Sequence, residues 1–400
     1  MALLSVVIIS LSCNGMVRGE DDRSTSHLSE LVTNGSYLVQ SKQKIIGHRK
    51  EDLFLPASTL KILTSLAALD LLGPEFRFET HFYIDDEQNL YIKGYGDPFL
   101  TSEEIRIICS SLKNRGITQI RSIFLDDSSY KQQQTPGITS SNNPYDAPTG
   151  ALAVNFNTLM VDKLPSGAVQ SAELQTPSLA IMKRLARKLP TGTQRINIGT
   201  DGNNTLISLQ LQYVGELFCA LLHETGIIVE GGFDKRNVPH SLEPFLIHKS
   251  SKNLKEVMGE CLHYSNNFIA NQVFLYCGLQ KNGSPATWDK ARGSITNFIE
   301  KTLHLSKKQL SVQDGSGLSR QNRMSAEALV TILVHFKQYA DLLNRHSGVL
   351  LKSGTMQDVY CYGGYFTENE TLIPFVILLN QKRNTRDKIL RRLHAMFASS

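Results

Sequence analysis

The chain has 400 residues, 41% hydrophobic and 20% charged, with 42 basic against 37 acidic side chains. That length exceeds one ordinary core, so a soluble globular protein of two or more domains is expected. The formal charge of +5 is small and spread without a long basic run, which argues against nucleic acid as a partner.

Ala2 to Leu11 is uncharged and mostly apolar, and the first charged residue is Arg18. The run is too short to span a bilayer but suits the core of a signal peptide, with Val17-Arg18-Gly19 able to end it. Residues 1–19 are therefore read as an export signal that delivers the chain to the periplasm, with no stable membrane span expected. No Lys or Arg precedes the apolar run, and Ser10 ahead of Cys13 fits a lipid-attachment box poorly. The six cysteines, Cys13, Cys109, Cys219, Cys261, Cys277 and Cys361, become an odd number if Cys13 leaves with the signal. They show no Cys-x-x-Cys or metal-ligand spacing, so they read as buried hydrophobes, with no metal and no cofactor expected.

Residues 24–54 hold two short strand-like runs around a polar turn. Leu55 to Pro74 then reads as a helix opened near Pro56 and stopped at Gly73-Pro74. Ile62, Leu63, Leu66, Leu69 and Leu72 recur at helical spacing, which predicts one buried face. Alternation at Phe76, Phe78, Phe82 and Ile84, a turn at 85–89, then Leu90 and Ile92 predict a hairpin. Thr101-x-x-Glu104 reads as a capping box for a helix that runs to Gly116, followed by a strand at Ile117 to Leu125. A polar loop spans Lys131 to Thr149. Strands are predicted over Val154 to Val161 and over Ile196 to Leu211, the second folded at Asp201-Gly202-Asn203-Asn204, and a helix over Val214 to Glu224. From about His240 longer amphipathic helices take over, at 251–263, 267–280, 286–304 and 325–343. Strands at Val349–Ser353, Val359–Phe366 and Leu372–Leu379, a turn at Glu368–Glu370 and a helix near 385–397 close the chain.

Three short motifs carry chemistry. Ser58 and Lys61 form Ser-x-x-Lys at the start of the first long helix, where residues three apart share a face. A serine hydroxyl needs a base to become a nucleophile, and a desolvated lysine amine can serve. The N–H of Ser58, in the first turn, has no intrahelical partner and is free for a developing oxyanion. Ser265-Asn266-Asn267 lies between two helices, and Lys352-Ser353-Gly354-Thr355 ends a strand. Ser265 can pass a proton to a leaving amine, and Asn267 can orient Lys61 and a substrate amide. Lys352 can attract a carboxylate and keep Lys61 neutral by like-charge repulsion. Ser353 and Thr355 offer hydroxyls to that carboxylate, Gly354 leaves room for the backbone, and the Thr355 N–H supplies a second oxyanion donor. Alone, Ser-x-x-Lys is common by chance, the asparagine motif reads as an exposed turn and the lysine motif as a plain sheet edge. Their joint occurrence in this order decides against those readings. Several other residues are read as structural: Asp97 as a turn former, Asp314-Gly-Ser-Gly as a loop beside the site, His263 as a surface position, Trp288 as helix packing and Cys361 as a buried strand thiol.

The three motifs are those of the penicillin-interacting serine enzymes. Together with PASTLKILTSLAALDLLGPEFRFET, GYGDPFL, FLDDSSY, ALAVNFNT and DGSGLSR, they make the chain resemble the penicillin-binding protein 4 family of D-alanyl-D-alanine carboxypeptidase/endopeptidases. The resemblance covers most of the chain from about residue 30. It implies an α/β (α+β) fold, a transpeptidase-like domain with an antiparallel sheet flanked by helices, split by a large insertion. The expected parts are 24–75 and 240–400 for the catalytic domain and 76–239 for the inserted region, a spacer far longer than that of a class A β-lactamase. The insertion and the link before Lys352 look shorter than the family pattern, and Ser353 replaces a threonine. The implied activity is cleavage of D-alanyl peptide bonds in peptidoglycan stem peptides and cross-links, through a penicillin-sensitive Ser58 acyl-enzyme. The alternatives are a β-lactamase or transpeptidase on the same fold, or a non-catalytic penicillin-binding envelope protein. The resemblance also implies a pocket between insertion and cleft for the third stem-peptide side chain, where Tyr145 is the candidate contact. A loop tyrosine packed on its own domain is the competing reading for that residue.

Overall fold

The computed structural model describes residues 28, 30–139, 141–199, 207–346, 348–368 and 371–398. The expected signal segment and the turn at Asp201–Asn204 lie outside the described residues, as do positions 369 and 370 of the last turn.

The two ends of the chain meet in one antiparallel sheet. Its strand order is Asn344–His346, Val349–Met356, Val359–Glu368, Thr371–Leu379, Gly35–Gln40 and Ile45–His48. The first of these strands is short and pairs only with Val349, Leu350 and Leu351. From Lys352 onward the outer edge of the next strand carries no strand partner among the described residues, while its inner edge stays paired through Met356. The two-residue period of a strand sorts the side chains by face. Val349 and Leu351 join the cluster that holds Ile389, Leu393 and Phe397 of the C-terminal helix Arg386–Ala398. Leu350 points the other way, into the core shared with the central helices. Continuing the alternation sends Lys352 and Gly354 toward those helices, and Ser353 and Thr355 toward the start of the C-terminal helix.

Five helices cover the inner face: Leu60–Leu72, Leu254–His263, Asn267–Asn282, Trp288–Lys301 and Ala326–Phe336. The helix Leu60–Leu72 has more than the one buried face expected, since every residue from Leu60 to Leu69 is buried. It is walled by neighbouring helices and the sheet, and its few polar side chains turn to specific partners. Thr64 donates to the Gly315 carbonyl at 2.6 Å, and Ser65 donates to the Lys61 carbonyl at 2.7 Å.

Between this helix and Leu254, the chain builds a second unit. A mixed five-stranded sheet has the order Phe233–Lys235, Ile123–Asp126, Leu90–Gly94, Glu79–Ile84 and Leu246–Lys249. Helices Ser102–Asn114 and Leu209–Glu224 pack on it around their own apolar cluster. A three-stranded sheet, Val169–Ser171, Thr158–Lys163 and Gly192–Asn197, completes the unit. Its last strand, Leu246–Lys249, pairs with its first, Glu79–Ile84, with Lys249 opposite Glu79. The inserted architecture thus extends past residue 239 to Lys249, because the returning strand belongs to the inserted sheet. Two local expectations are corrected. The strand predicted to reach Leu211 ends at Asn197, and Leu209 to Leu211 open a helix whose N-cap Ser208 accepts from the Leu211 N–H. Thr101 makes no side-chain cap bond; Glu104 instead accepts from Ser251 and pairs with His248 at 2.7 Å, in a buried contact with the returning strand.

Candidate active site

Pro56 to Thr59 turns sharply before the first helix. Ala57 takes φ of +46°, unusual for a residue with a Cβ, and Ala57–Thr59 forms a single 3-10 turn. That turn carries Ser58 at the mouth of the helix, half-buried, while Lys61 one turn on is 0% exposed. Lys61 Nζ lies 2.9 Å from Ser58 Oγ, 2.6 Å from Asn267 Oδ1 and 2.9 Å from the Ser316 carbonyl. Burial and then the nearby Lys352 charge push its pKa down to about 7.

The asparagine motif divides its labour. Asn266 is the N-cap of helix Asn267–Asn282 and accepts from the Ile269 N–H at 3.1 Å. Ser265 precedes it in the left-handed region with φ of +55°, a conformation that turns its hydroxyl toward Lys352 Nζ at 2.9 Å. Asn267, first in the helix, gives its carbonyl oxygen to Lys61 and donates from its amide to the Tyr145 backbone carbonyl at 3.3 Å.

Lys352 is 2% exposed, and besides Ser265 it donates to its neighbour's carbonyl, Ser353 O, at 3.0 Å. Burial brings its pKa down to about 8, with Arg386 adding to the fall and the Cys261 thiol opposing it. Gly354 abuts the nucleophile turn: a Cβ there would stand 2.9 Å from Ser58 N and 3.0 Å from the Pro56 carbonyl. Only glycine lets the strand approach this closely. The structure therefore gathers Ser58, Lys61, Ser265, Asn267, Lys352 and Gly354 into one constellation, with Ser353 and Thr355 on the strand's other face.

Tyr145 sits in a 3-10 turn, Pro144–Asp146, with its side chain 57% exposed. It lines a cavity of about 230 Å³ with Phe156, Arg195, Tyr264, Ser265 and Asn267, so inserted unit and catalytic helices share its walls. The structural readings fit as well. Asp97 Oδ1 accepts from the Phe99 N–H in a turn, His263 is exposed, Trp288 packs near Phe274, and Cys361 is fully buried.

Other participants carry no motif at their own position. The Ser316 carbonyl is aimed by Asp314, a fully buried carboxylate that accepts from the N–H groups of Ser316, Gly317 and Ser319 and from the Asn322 amide. DGSGLSR signals such a loop, but nothing in it says which backbone oxygen faces Lys61. Arg386, at the start of the last helix, donates to Thr355 Oγ1 at 2.8 Å and to the Gly354 carbonyl at 3.1 Å.

The profile of the D-Ala-D-Ala carboxypeptidase 3 (S13) family matches residues 33–346. The chain belongs to that family. Among its relatives, a D-alanyl-D-alanine carboxypeptidase of Actinomadura sp. is 26% identical over 321 residues, which are 70% of this chain and 59% of that protein. The S13 chain thus spans less than two thirds of that relative's length. The D-alanyl-D-alanine carboxypeptidase DacB of Haemophilus influenzae is 21% identical over 410 residues, covering 86% of this chain and 85% of that one. In structure, this S13 chain is similar to penicillin binding protein 4 (dacB) from H. influenzae, with a TM-score of 0.73 at 20% identity over 94% of this chain and 98% of the other. It is also similar to a predatory peptidoglycan endopeptidase from Bdellovibrio bacteriovorus, with a TM-score of 0.52 at 16% identity over 90% and 91%. These likenesses give the S13 chain the penicillin-binding, transpeptidase-like fold.

Proposed function

We propose that the protein is a serine D-alanyl-D-alanine carboxypeptidase that also opens D-alanyl cross-links in peptidoglycan, through an acyl-enzyme on Ser58. One observation carries the reading: a fully buried Lys61 amine within 2.9 Å of Ser58 Oγ, its other two contacts both acceptors. A neutral amine keeps two N–H groups and one lone pair. Asn267 Oδ1 and the Ser316 carbonyl take the two N–H groups, which leaves the lone pair for the Ser58 proton. With the Lys61 pKa near 7, a large share of the amine is neutral at physiological pH.

Ser58 Oγ attacks the carbonyl carbon of the penultimate D-alanine while its proton passes to Lys61. The oxyanion faces the Ser58 N–H at the open first turn and the Thr355 N–H on the strand edge. The C–N bond breaks as the proton taken up by Lys61 is relayed through Ser265, itself held by Lys352, to the departing amine, which leaves Lys61 neutral again. Water then cleaves the Ser58 ester and restores the hydroxyl. The free edge beyond Lys352 suits an extended peptide laid along it. Lys352, Ser353 and Thr355 receive its terminal carboxylate. The cavity beside Tyr145 receives the third side chain of the stem peptide, stacking its methylenes on the ring.

A β-lactam mimics the scissile peptide and would acylate the same serine; the H. influenzae protein of this fold has been solved with a β-lactam. We also place the enzyme in the periplasm, on account of the apolar run in residues 1–19. The test is covalent labelling by a fluorescent penicillin. Wild type is expected to form a stable adduct at Ser58, and Ser58→Ala to lose both labelling and roughly a thousandfold or more of turnover. Undiminished labelling of Ser58→Ala would overturn the assignment, and rapid release of penicillin by wild type would identify a β-lactamase.

A further inference from the structure

We infer that Arg386 is a specificity-determining residue of this site, a second fixed cation beside Lys352 that commits the enzyme to acyl donors with a free carboxylate on the departing residue. The inference rests on the acyl-transfer reading of Ser58. It starts from the strand period: Thr355 faces the C-terminal helix, and Arg386 is that helix's first residue. The guanidinium donates to Thr355 Oγ1 at 2.8 Å and to the Gly354 carbonyl at 3.1 Å, so it is fixed to the motif and not merely near it. Tyr362, the cross-strand neighbour of Ser353, lies under it with 4.4 Å from guanidinium carbon to ring centroid. The adjacent carboxylate, Asp387, accepts from the Tyr362 hydroxyl at 2.7 Å.

The charge balance then points to a ligand. Among the described residues no carboxylate forms an ion pair with Arg386 or with Lys352. Arg386 Nε is buried without a hydrogen-bond partner. One fixed cation therefore stands at the Thr355 hydroxyl and another at the Ser353 carbonyl, neither of them ion-paired to a carboxylate among the described residues. A carboxylate on the peptide supplies that anion, and the guanidinium, with Nη1 committed to Thr355 and Gly354, keeps its Nη2 N–H groups to donate to it. An amidated terminus leaves the pair uncompensated, whereas a cross-link whose departing residue carries a free carboxylate beside its amine supplies the anion as a chain terminus does. Arg386 lies beyond the stretch matched by the family profile, on an element that carries none of the three motifs.

The experiment uses two peptides ending in D-alanyl-D-alanine, one a free acid and one its C-terminal amide, with a carboxylate-free peptidyl thioester as a third acyl donor. Wild type, Arg386→Gln and Arg386→Lys are compared by kcat/KM and by mass detection of the Ser58 adduct. Arg386→Gln is expected to lose about 10- to 100-fold on the free acid, mainly in KM, with the amide and thioester changed less than threefold. Arg386→Lys should recover part of the preference, because it keeps the charge and loses the fork. Equal losses on all three donors, or no loss on the free acid, would overturn the inference while leaving the acyl-enzyme intact. Thioester acylation of Arg386→Gln reports that the variant is folded. If that variant does not fold, an unchanged acid-to-amide ratio in Arg386→Lys overturns the inference and a lowered ratio supports it. Failure of all three donors to acylate wild type would instead sink the Ser58 reading itself.

Discussion

Two lysines share one buried corner of the site, and burial, with the Lys352 charge adding to the effect on Lys61, sets a working pH. Both pKa values are displaced downward because burial penalises the ammonium form, to about 7 for Lys61 and about 8 for Lys352. The proposed acylation needs Lys61 neutral and Lys352 charged. The pH profile of kcat/KM should therefore rise through about 7 as Lys61 loses its proton and fall above about 8 as Lys352 does. Lys352→Gln removes the repelling charge, so the ascending limb should move to higher pH. The same variant should lose about 1.5–3 kcal/mol of transition-state binding on a free-acid peptide and less on its amide. Equal losses on acid and amide would confine Lys352 to tuning Lys61, and an unmoved limb would mean that burial alone lowers the Lys61 pKa. At this scale the sequence was informative wherever chemistry is written as spacing. The convergence of Ser58, Lys61, Ser265, Asn267 and Lys352 was legible because each motif puts fixed side chains at fixed intervals on a recognisable element. The Ser316 carbonyl was not, since a backbone oxygen has no letter of its own. Arg386 was hidden because it reaches the motif from the opposite face of the sheet.

Elements do their part by fixing distances that no single side chain sets. The turn at Ala57–Thr59 and the strand Val349–Met356 touch at Gly354, where one added carbon would press on Ser58 N and the Pro56 carbonyl. Gly354→Ala must therefore part the turn from the strand that carries the second oxyanion donor. Penicillin acylation should slow by about 10²–10³-fold, the scale for losing one such donor. Overpacking should cost about 1–3 kcal/mol of stability, read from the shift in denaturation midpoint. Unimpaired acylation would mean that the turn and strand are not held at a required distance. The long amphipathic helices were readable from apolar period and flanking punctuation, but contacts over long range overrode two local signals. Thr101-x-x-Glu104 spells a capping box, yet His248 and Ser251 claim the carboxylate across 144 and 147 residues of sequence. Near Leu209 a run of alternating apolar residues satisfied a strand pattern, and a serine cap with the packing of the inserted core made it helix.

On the scale of the whole molecule the candidate cleft is lined both by the helices of the larger sheet's domain and by the unit between Leu72 and Leu254. Tyr145 shows this twice: its ring lines the cavity beside Ser265, and its backbone carbonyl holds the Asn267 amide. The side chain can be removed without touching the carbonyl. Tyr145→Ala should thus weaken turnover of a peptide bearing free diaminopimelate, with little change for one bearing alanine at that place. Parallel losses in kcat/KM on the two peptides would reduce the tyrosine to a support of the fold. The wide separation of the first two motifs leaves room for the unit with its own sheet and core that lies between them. The end of that unit was not legible, because the returning strand Leu246–Lys249 is too short to announce which sheet it joins.

That returning strand has one more consequence. The chain leaves and re-enters the catalytic fold along a single ladder, with Glu79 facing Lys249. The inserted unit therefore enters and leaves on two adjacent strands, and further bonds, Gly150 with Gln272 and the Tyr145 carbonyl with Asn267, tie it to the helices that carry the candidate site. The cavity wall that Tyr145 contributes can on this arrangement be altered by its side chain alone, while Lys61 keeps its 2.9 Å contact with Ser58.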